Sequence, residues 1–184
     1  GQRADLGASE VANGPGEIYN ALRQIPEFQL QFADRLHKHL FNQGVFTTDR
    51  VASVYAARAS EIELPLVSQS ARWGDVRRHP PDVPEGVWSS ERDWILNTFF
   101  AQRGEILLKD FQDESLYPTL AAPVFNQHGG DIGAGFHLKI TNLNEVGTVW
   151  MTLDGSDPRM PGGTISATAI TYKGPISLGT SQPI

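Results

Sequence analysis

The chain has 184 residues, 40% of them hydrophobic, enough for one medium core or two small ones. A net charge of −6 argues against a nucleic-acid backbone as partner, and the lack of cysteine excludes disulfides and thiolate metal sites. No apolar run is long enough to cross a bilayer and no secretory signal precedes the first element; a start at Gly1, not methionine, is read as a segment of something longer.

Residues 1–16 are Gly/Ala-rich and aperiodic, and Asn13-Gly14-Pro15-Gly16 reads as a loop. A short helix over Ile18–Gln24 is stopped by Pro26, which disfavours helical backbone at Ile25. A second helix starts at Pro26 or Glu27, and Phe28, Phe32, Leu36 and Leu40, four apart, form its buried stripe. Gly44 is expected to close it as C-cap. Thr47 or Thr48 caps the third helix, whose apolar face is expected to be Val51, Val54, Tyr55, Ile62 and Leu66, with a kink or break near Ile62–Leu66 caused by Pro65. Residues 72–89 read as a long loop. A fourth helix opens at Ser90-Glu91 with Trp94, Ile95, Thr98 and Phe99 inward and ends near Arg103. A fifth runs on to about Asp113, using Ile106, Leu107 and Phe111.

Charge density and period both change near residue 118. Residues 1–117 carry twelve Lys/Arg and seventeen Asp/Glu, whereas 118–184 carry three and four and are rich in Gly, Thr and Ser. Residues 118–123 read as a linker. Beyond it, strands are expected at Phe136–Thr141, Thr148–Leu153, Ile170–Tyr172 and Ile176–Leu178, with Thr148–Leu153 inside a sheet. Val149, Met151 and Leu153 alternate with Thr148, Trp150 and Thr152. Asp154-Gly155-Ser156-Asp157-Pro158 then ends the strand: glycine supplies positive φ, and each aspartate can accept from its own downstream amide. The fold class is therefore α+β, a helical segment followed by an antiparallel sandwich.

Residues 17–117 resemble the C-terminal part of the CotH (spore-coat) kinase family. The likeness is carried by Glu17-Ile18-Tyr19 with Leu22-Arg23, Pro26-Glu27-Phe28, Phe32-Ala33-Asp34-Arg35, Ser70-Ala71-Arg72-Trp73-Gly74-Asp75 and Leu116-Tyr117-Pro118. Residues 124–184, introduced by Pro123, look like the start of a chitobiase/β-hexosaminidase C-terminal-type module. Here the matching runs are Pro123-Val124-Phe125, Gly129-Gly130, Gly135-Phe136, Thr152 to Pro158 and Tyr172-Lys173-Gly174-Pro175-Ile176. The resemblance implies an Ig-like β-sandwich, truncated at Ile184 with an open edge, behind the end of a secreted bacterial protein kinase. It also implies ATP and a divalent metal for the full-length family, a missing N-terminal kinase portion as partner, and an extracellular or cell-surface location with an extracellular protein or glycan within reach. The family's nucleotide- and metal-binding acids lie upstream of the matched part, so this chain is assigned no catalytic, cofactor-binding or metal-binding residue and is expected to be inactive alone. Gln69 stands where the family has an acid before Ser70.

Other candidates follow from residue chemistry. Arg72, Arg77 and Arg78 beside Asp75 form an anion-binding candidate, because guanidinium groups on a glycine-containing loop can hold phosphate; the competing reading is that they pair with the acidic excess of the helical half. Trp73 is expected to anchor that loop by packing. His37 and His39, two apart on a helix, point apart and cannot share a metal, and His79, His128 and His137 are scattered. Asp131, Asp154 and Asp157 are a calcium candidate set against plain turn chemistry. Trp150 and Tyr172 are sugar-stacking candidates set against packing within the sandwich. If the helical part belongs to a larger fold, Phe41, Phe46, Leu66, Trp88 and Phe100 should not all be buried.

Overall fold

A computed structural model describes residues 15–74, 76 and 83–179. They form α1 (Pro15–Leu22), α2 (Pro26–Leu40), α3 (Thr48–Trp73), α4 (Ser89–Trp94) and α5 (Phe100–Asp113), then six short strands. The class is mixed helix and antiparallel strand, and the chain divides into two compact units. One is residues 34–114; the other joins the described residues 15–33 to 115–179.

In the first unit, α2 ends in a tight reversal. Asn42 and Gln43 take the positive φ angles, 52° and 70°, that the expected cap would have assigned to Gly44. Glycine is needed at 44 for a different reason: a Cβ there would lie 2.3 Å from the His39 carbonyl oxygen. Thr47 precedes α3 in extended geometry, but its hydroxyl donates back to the Gly44 carbonyl at 2.8 Å and leaves the helix amides alone.

No break appears at Pro65, and α3 runs unbroken for 26 residues. The proline cannot donate to the Glu61 carbonyl, but both residues are exposed, so water can take that acceptor. On the inward side of α3, Ala59 is buried and Val51, Ala52, Tyr55, Leu66 and Ser70 are partly buried; Val54 and Ile62, expected inside, are about half exposed at 52% and 50%.

The expected loop at 72–89 is helical at both of its ends. Helix α3 continues to Trp73, and Pro84–Trp88 is already one turn of π-helix. Ser89 and Ser90 do not open a new helix: both hydroxyls donate to the Gly86 carbonyl, at 3.1 and 2.8 Å, inside a run that is helical from Pro84 to Asp113. A second π segment, Ile95–Phe99, replaces the break expected near Arg103, with the Phe100 amide donating to the Ile95 carbonyl. This wide turn brings Phe100 edge-on to Tyr55, ring centroids 5.6 Å apart, and to Phe99. Trp94 faces outward, 45% exposed. Across the run, the Arg92 guanidinium lies 5.0 Å from the Trp88 ring and 3.2 Å from the Glu63 carboxylate. Of Phe41, Phe46, Leu66, Trp88 and Phe100, none is buried, and Phe46 is 56% exposed.

The second unit has its core in Leu138, Ile140, Met151 and Leu178, with Phe125, Phe136, Val149, Tyr172 and Ile176 packed around them. Its strands form three antiparallel pairs: β1 (Val124–Phe125) with β3 (Ile140–Thr141), β2 (Phe136–Leu138) with β6 (Ile176–Leu178), and β4 (Trp150–Met151) with β5 (Ile170–Thr171). Thr148–Leu153 is thus not interior to a sheet, because the second neighbour it needs never pairs with it. The expected strand at 136–141 changes partner at Lys139. Asn126 bridges the change: its Nδ2 donates to the His137 carbonyl at 3.0 Å and its Oδ1 accepts from the Lys139 amide at 2.9 Å.

Residues 118–123 are tied to this unit, since the Asn144 side chain both accepts from the Ala121 amide at 3.1 Å and donates to its carbonyl at 2.9 Å. Helix α1 and the start of α2 also group here. The Gly162 amide donates to the Glu27 carboxylate at 3.0 Å, and Leu30 packs beside Gly163. Tyr19 meets Phe28 edge-on, their centroids 6.5 Å apart.

Gly44→Ala should destabilise the helical unit by about 1–3 kcal/mol, because the clash is with backbone that cannot move aside. Urea unfolding of the two proteins checks this, and a change below experimental error would contradict the geometry.

Candidate binding cleft beside strand β4

Strand β4 and the turn after it build an apolar recess. Thr152, read from alternation as outward-facing, is 2% exposed, and its hydroxyl donates to the Ser156 carbonyl. That bond folds the turn back under the strand. Asp154 then accepts from both the amide and the hydroxyl of Ser156, at 3.0 and 2.6 Å, and Asp157 accepts from the Arg159 amide at 2.8 Å. Gly155, at φ 76°, completes a turn whose residues 154–157 are all exposed. Both aspartates therefore do the local work expected of them, and each is held below the ordinary carboxylate value of 3.8. For Asp154 the Ser156 hydroxyl is the main cause, followed by the Ser156 amide; for Asp157 it is the Arg159 side chain, followed by its amide.

Above this turn lies a cleft of about 290 Å³ lined by Pro123, Phe125, Ile140, Val149, Trp150, Met151, Thr152, Ser156 and Pro158. The lining is mainly apolar, and Trp150, 38% exposed, is its most accessible aromatic side chain. Tyr172 is not comparable. Its hydroxyl accepts from the Ile140 amide at 3.1 Å, which makes it a packing and bonding element of the core. A second recess is lined by Met151, Leu153, Ile170 and Lys173-Gly174-Pro175.

The remaining candidates disperse. Arg72 is exposed on the last turn of α3 with its guanidinium 5.0 Å from the Trp73 ring, while Asp75, Arg77, Arg78 and His79 lie outside the described residues. Trp73, expected as a packed anchor, is 52% exposed. Three histidines are ring partners: His37 stacks on Phe41 at 4.6 Å, His39 meets Phe46 edge-on at 5.9 Å, and His128 stacks on Phe125 at 5.5 Å. Among the described residues, no three His, Cys, Asp or Glu side chains gather in a way that could hold a metal ion. The cleft itself was missed at the level of sequence. Its one signal was the uncharged run Thr148–Leu153 immediately before an Asp-Gly turn.

Comparison of the chain with protein-family models, with curated proteins and with solved structures yields no match.

Gly155→Val should destabilise the second unit by about 1–3 kcal/mol, since a β-branched residue must then hold positive φ. Asp157→Asn should be nearly silent, because Asn accepts the same amide bond and an exposed ion pair adds little. Thermal melting of both variants with and without calcium checks this, and a calcium dependence lost in Asp157→Asn would restore the metal reading. A carboxylate held below its ordinary value contributes stability that is fully present above that value and lost as pH falls through the lowered one. The Asp154 contribution should therefore be intact at neutral pH and fade only below 3.8. Asp154→Asn should remove that part of the acid limb in a stability-versus-pH profile.

Proposed function

We propose that the chain is the C-terminal portion of a secreted bacterial CotH-type protein kinase, carrying an Ig-like module of the chitobiase/β-hexosaminidase C-terminal type behind its helical part. The observation that carries this reading is the outer face of α3. Ser53, Ala56, Ala57, Ser60, Leu64, Val67 and Ala71 share one side of the helix, all are exposed, and none is charged. The face is about 27 Å long at 1.5 Å per residue. A solvated helix face normally carries charge; one that is small and aliphatic throughout suits close packing against another helix or sheet. Leu64 is 80% exposed and Val67 50%, and burying such side chains completely would contribute about 1.5–3 kcal/mol each. The covering surface is assigned to the upstream kinase portion.

In this reading the chain performs no phosphoryl transfer. That chemistry needs acids to hold metal on ATP, and in the family these lie upstream of the part that residues 17–117 resemble. The β part is read as an antiparallel sandwich, supported by a core drawn from all three strand pairs. A second reading, a non-catalytic extracellular module associated with carbohydrate, is favoured by the accessible Trp150 at the cleft.

Ala57→Glu with Ser60→Glu should leave the isolated chain as stable as the parent and abolish its association with a separately produced upstream portion. Purified 1–184 should transfer no labelled phosphate from ATP. Loss of folding in the double variant, or phosphate transfer that a single acid-to-amide change removes, would refute the assignment. Retention on insoluble chitin or cellulose, lost in Trp150→Ala, would favour the second reading.

A further inference from the structure

At β4 an unanswered hydrogen-bonding demand meets a cavity. The bond from the Tyr172 amide to the Val149 carbonyl, 2.9 Å, sets the phase of the β4–β5 ladder. Residues of an antiparallel pair alternate, so Val149 and Met151 turn their amides toward β5, and Trp150 between them turns its N–H and C=O away. On that side no described strand pairs with β4, and the Trp150 backbone finds no partner among the described residues. The cleft lies there too. It is lined by Phe125 and Ile140 of β1 and β3 together with Val149–Thr152, with no residue of β5, and its buried members are Ile140 and Met151, each 5% exposed, and Thr152, 2% exposed.

The edge is also unguarded. Exposed strand edges are commonly protected by a charge, a proline or a bulge; Thr148 to Leu153 contains neither of the first two, and its paired residues, Trp150 and Met151, meet β5 without a bulge. A donor and an acceptor at backbone spacing beside an apolar recess call for a ligand that offers the complementary pair and a hydrophobic branch together. A lipid tail would fill the recess and leave the amide unbonded. A sugar would bond the amide and leave the recess wet. An extended polypeptide does both.

We propose that the free edge of β4 binds an extended peptide segment by strand addition, its main chain pairing with the N–H and C=O of Trp150 and one aliphatic side chain entering the cleft. This site stands on the second unit alone and does not depend on the kinase reading.

Titration of the ¹⁵N-labelled full chain with the capped heptapeptide Lys-Val-Thr-Val-Thr-Val-Lys tests it. The Trp150 amide signal should move and its exchange with solvent should slow, with the Ile140 and Met151 methyl signals following. The same peptide N-methylated at alternate residues should bind about tenfold or more weakly, since ladder bonds are removed while side chains stay. Trp150→Pro should keep the folded spectrum and lose the peptide, because proline is tolerated at an edge where its missing donor faces outward, whereas Trp150→Phe should retain binding. An unmoved Trp150 amide, or equal affinity for the two peptides, would overturn the proposal. So would self-association through this edge that the peptide does not displace, which would make a second copy the occupant. Should Trp150→Pro fail to fold, the pair of peptides still decides.

Discussion

Strands of two and three residues cannot satisfy their own backbone, and in the second unit side chains supply what the ladders lack. Asn126 spans the point where one extended segment trades β6 for β1 as partner, and Asn144 pairs with Ala121 as a strand would. Tyr172 closes the Ile140 amide with its hydroxyl while its ring packs on the core. Thr152 and Asp154 do the same for the turn after β4. Each neutral bond of this kind is worth only about 1 kcal/mol net, but for the part-buried groups that Tyr172 and Thr152 meet, going unpaired would cost more. Trp150 is where the supply stops, and that is why the cleft beside it has chemical direction.

The helical unit is constrained differently. Its buried apolar side chains, among the described residues, are Ala59 and Phe111, a thin core for so long a run of helix. The second π segment adds to that core. By widening the helix at Ile95–Phe99 it turns Phe99 and Phe100 toward each other and Phe100 toward Tyr55, at the expense of regular bonding. The Thr48 hydroxyl donates to the Phe100 carbonyl at 3.3 Å, tying the start of α3 to the same place. Aromatic contacts thus hold what aliphatic burial does not. The outer face of α3, small and uncharged, remains available for a partner that would complete the burial.

The two units also explain why the N-terminal helices do not simply join the helical bundle. Glu27 carries the charge at the start of α2, and the Gly162 amide holds its carboxyl below the ordinary carboxylate pKa, with Gln31 adding a second bond. A glycine pair at the tip of the 159–165 reversal lets that backbone approach the carboxylate. Nothing in the local pattern of residues 15–33 distinguishes a helix bound for a bundle from one bound for a β unit.

Local chemistry was therefore legible and long-range pairing was not. The span of α2, the start of α3, the Asp154–Pro158 turn with its two aspartate bonds and the positions of four strands follow from periodicity, from proline and glycine geometry and from side chains that reach only their neighbours. Three outcomes had to wait for the assembled fold: the partner change at Lys139, the burial of Thr152 and the unpaired edge of Trp150. Alternation says which side chains share a face, but which edge of a strand is paired depends on residues far along the chain, here Ile170 and Thr171. Sequence by itself determined that the chain is α+β with a polar turn after β4. Tertiary structure alone decided that this strand keeps one edge open above an apolar recess, because a hydrogen bond is satisfied by whatever atoms lie within about 3 Å, wherever they fall in the chain.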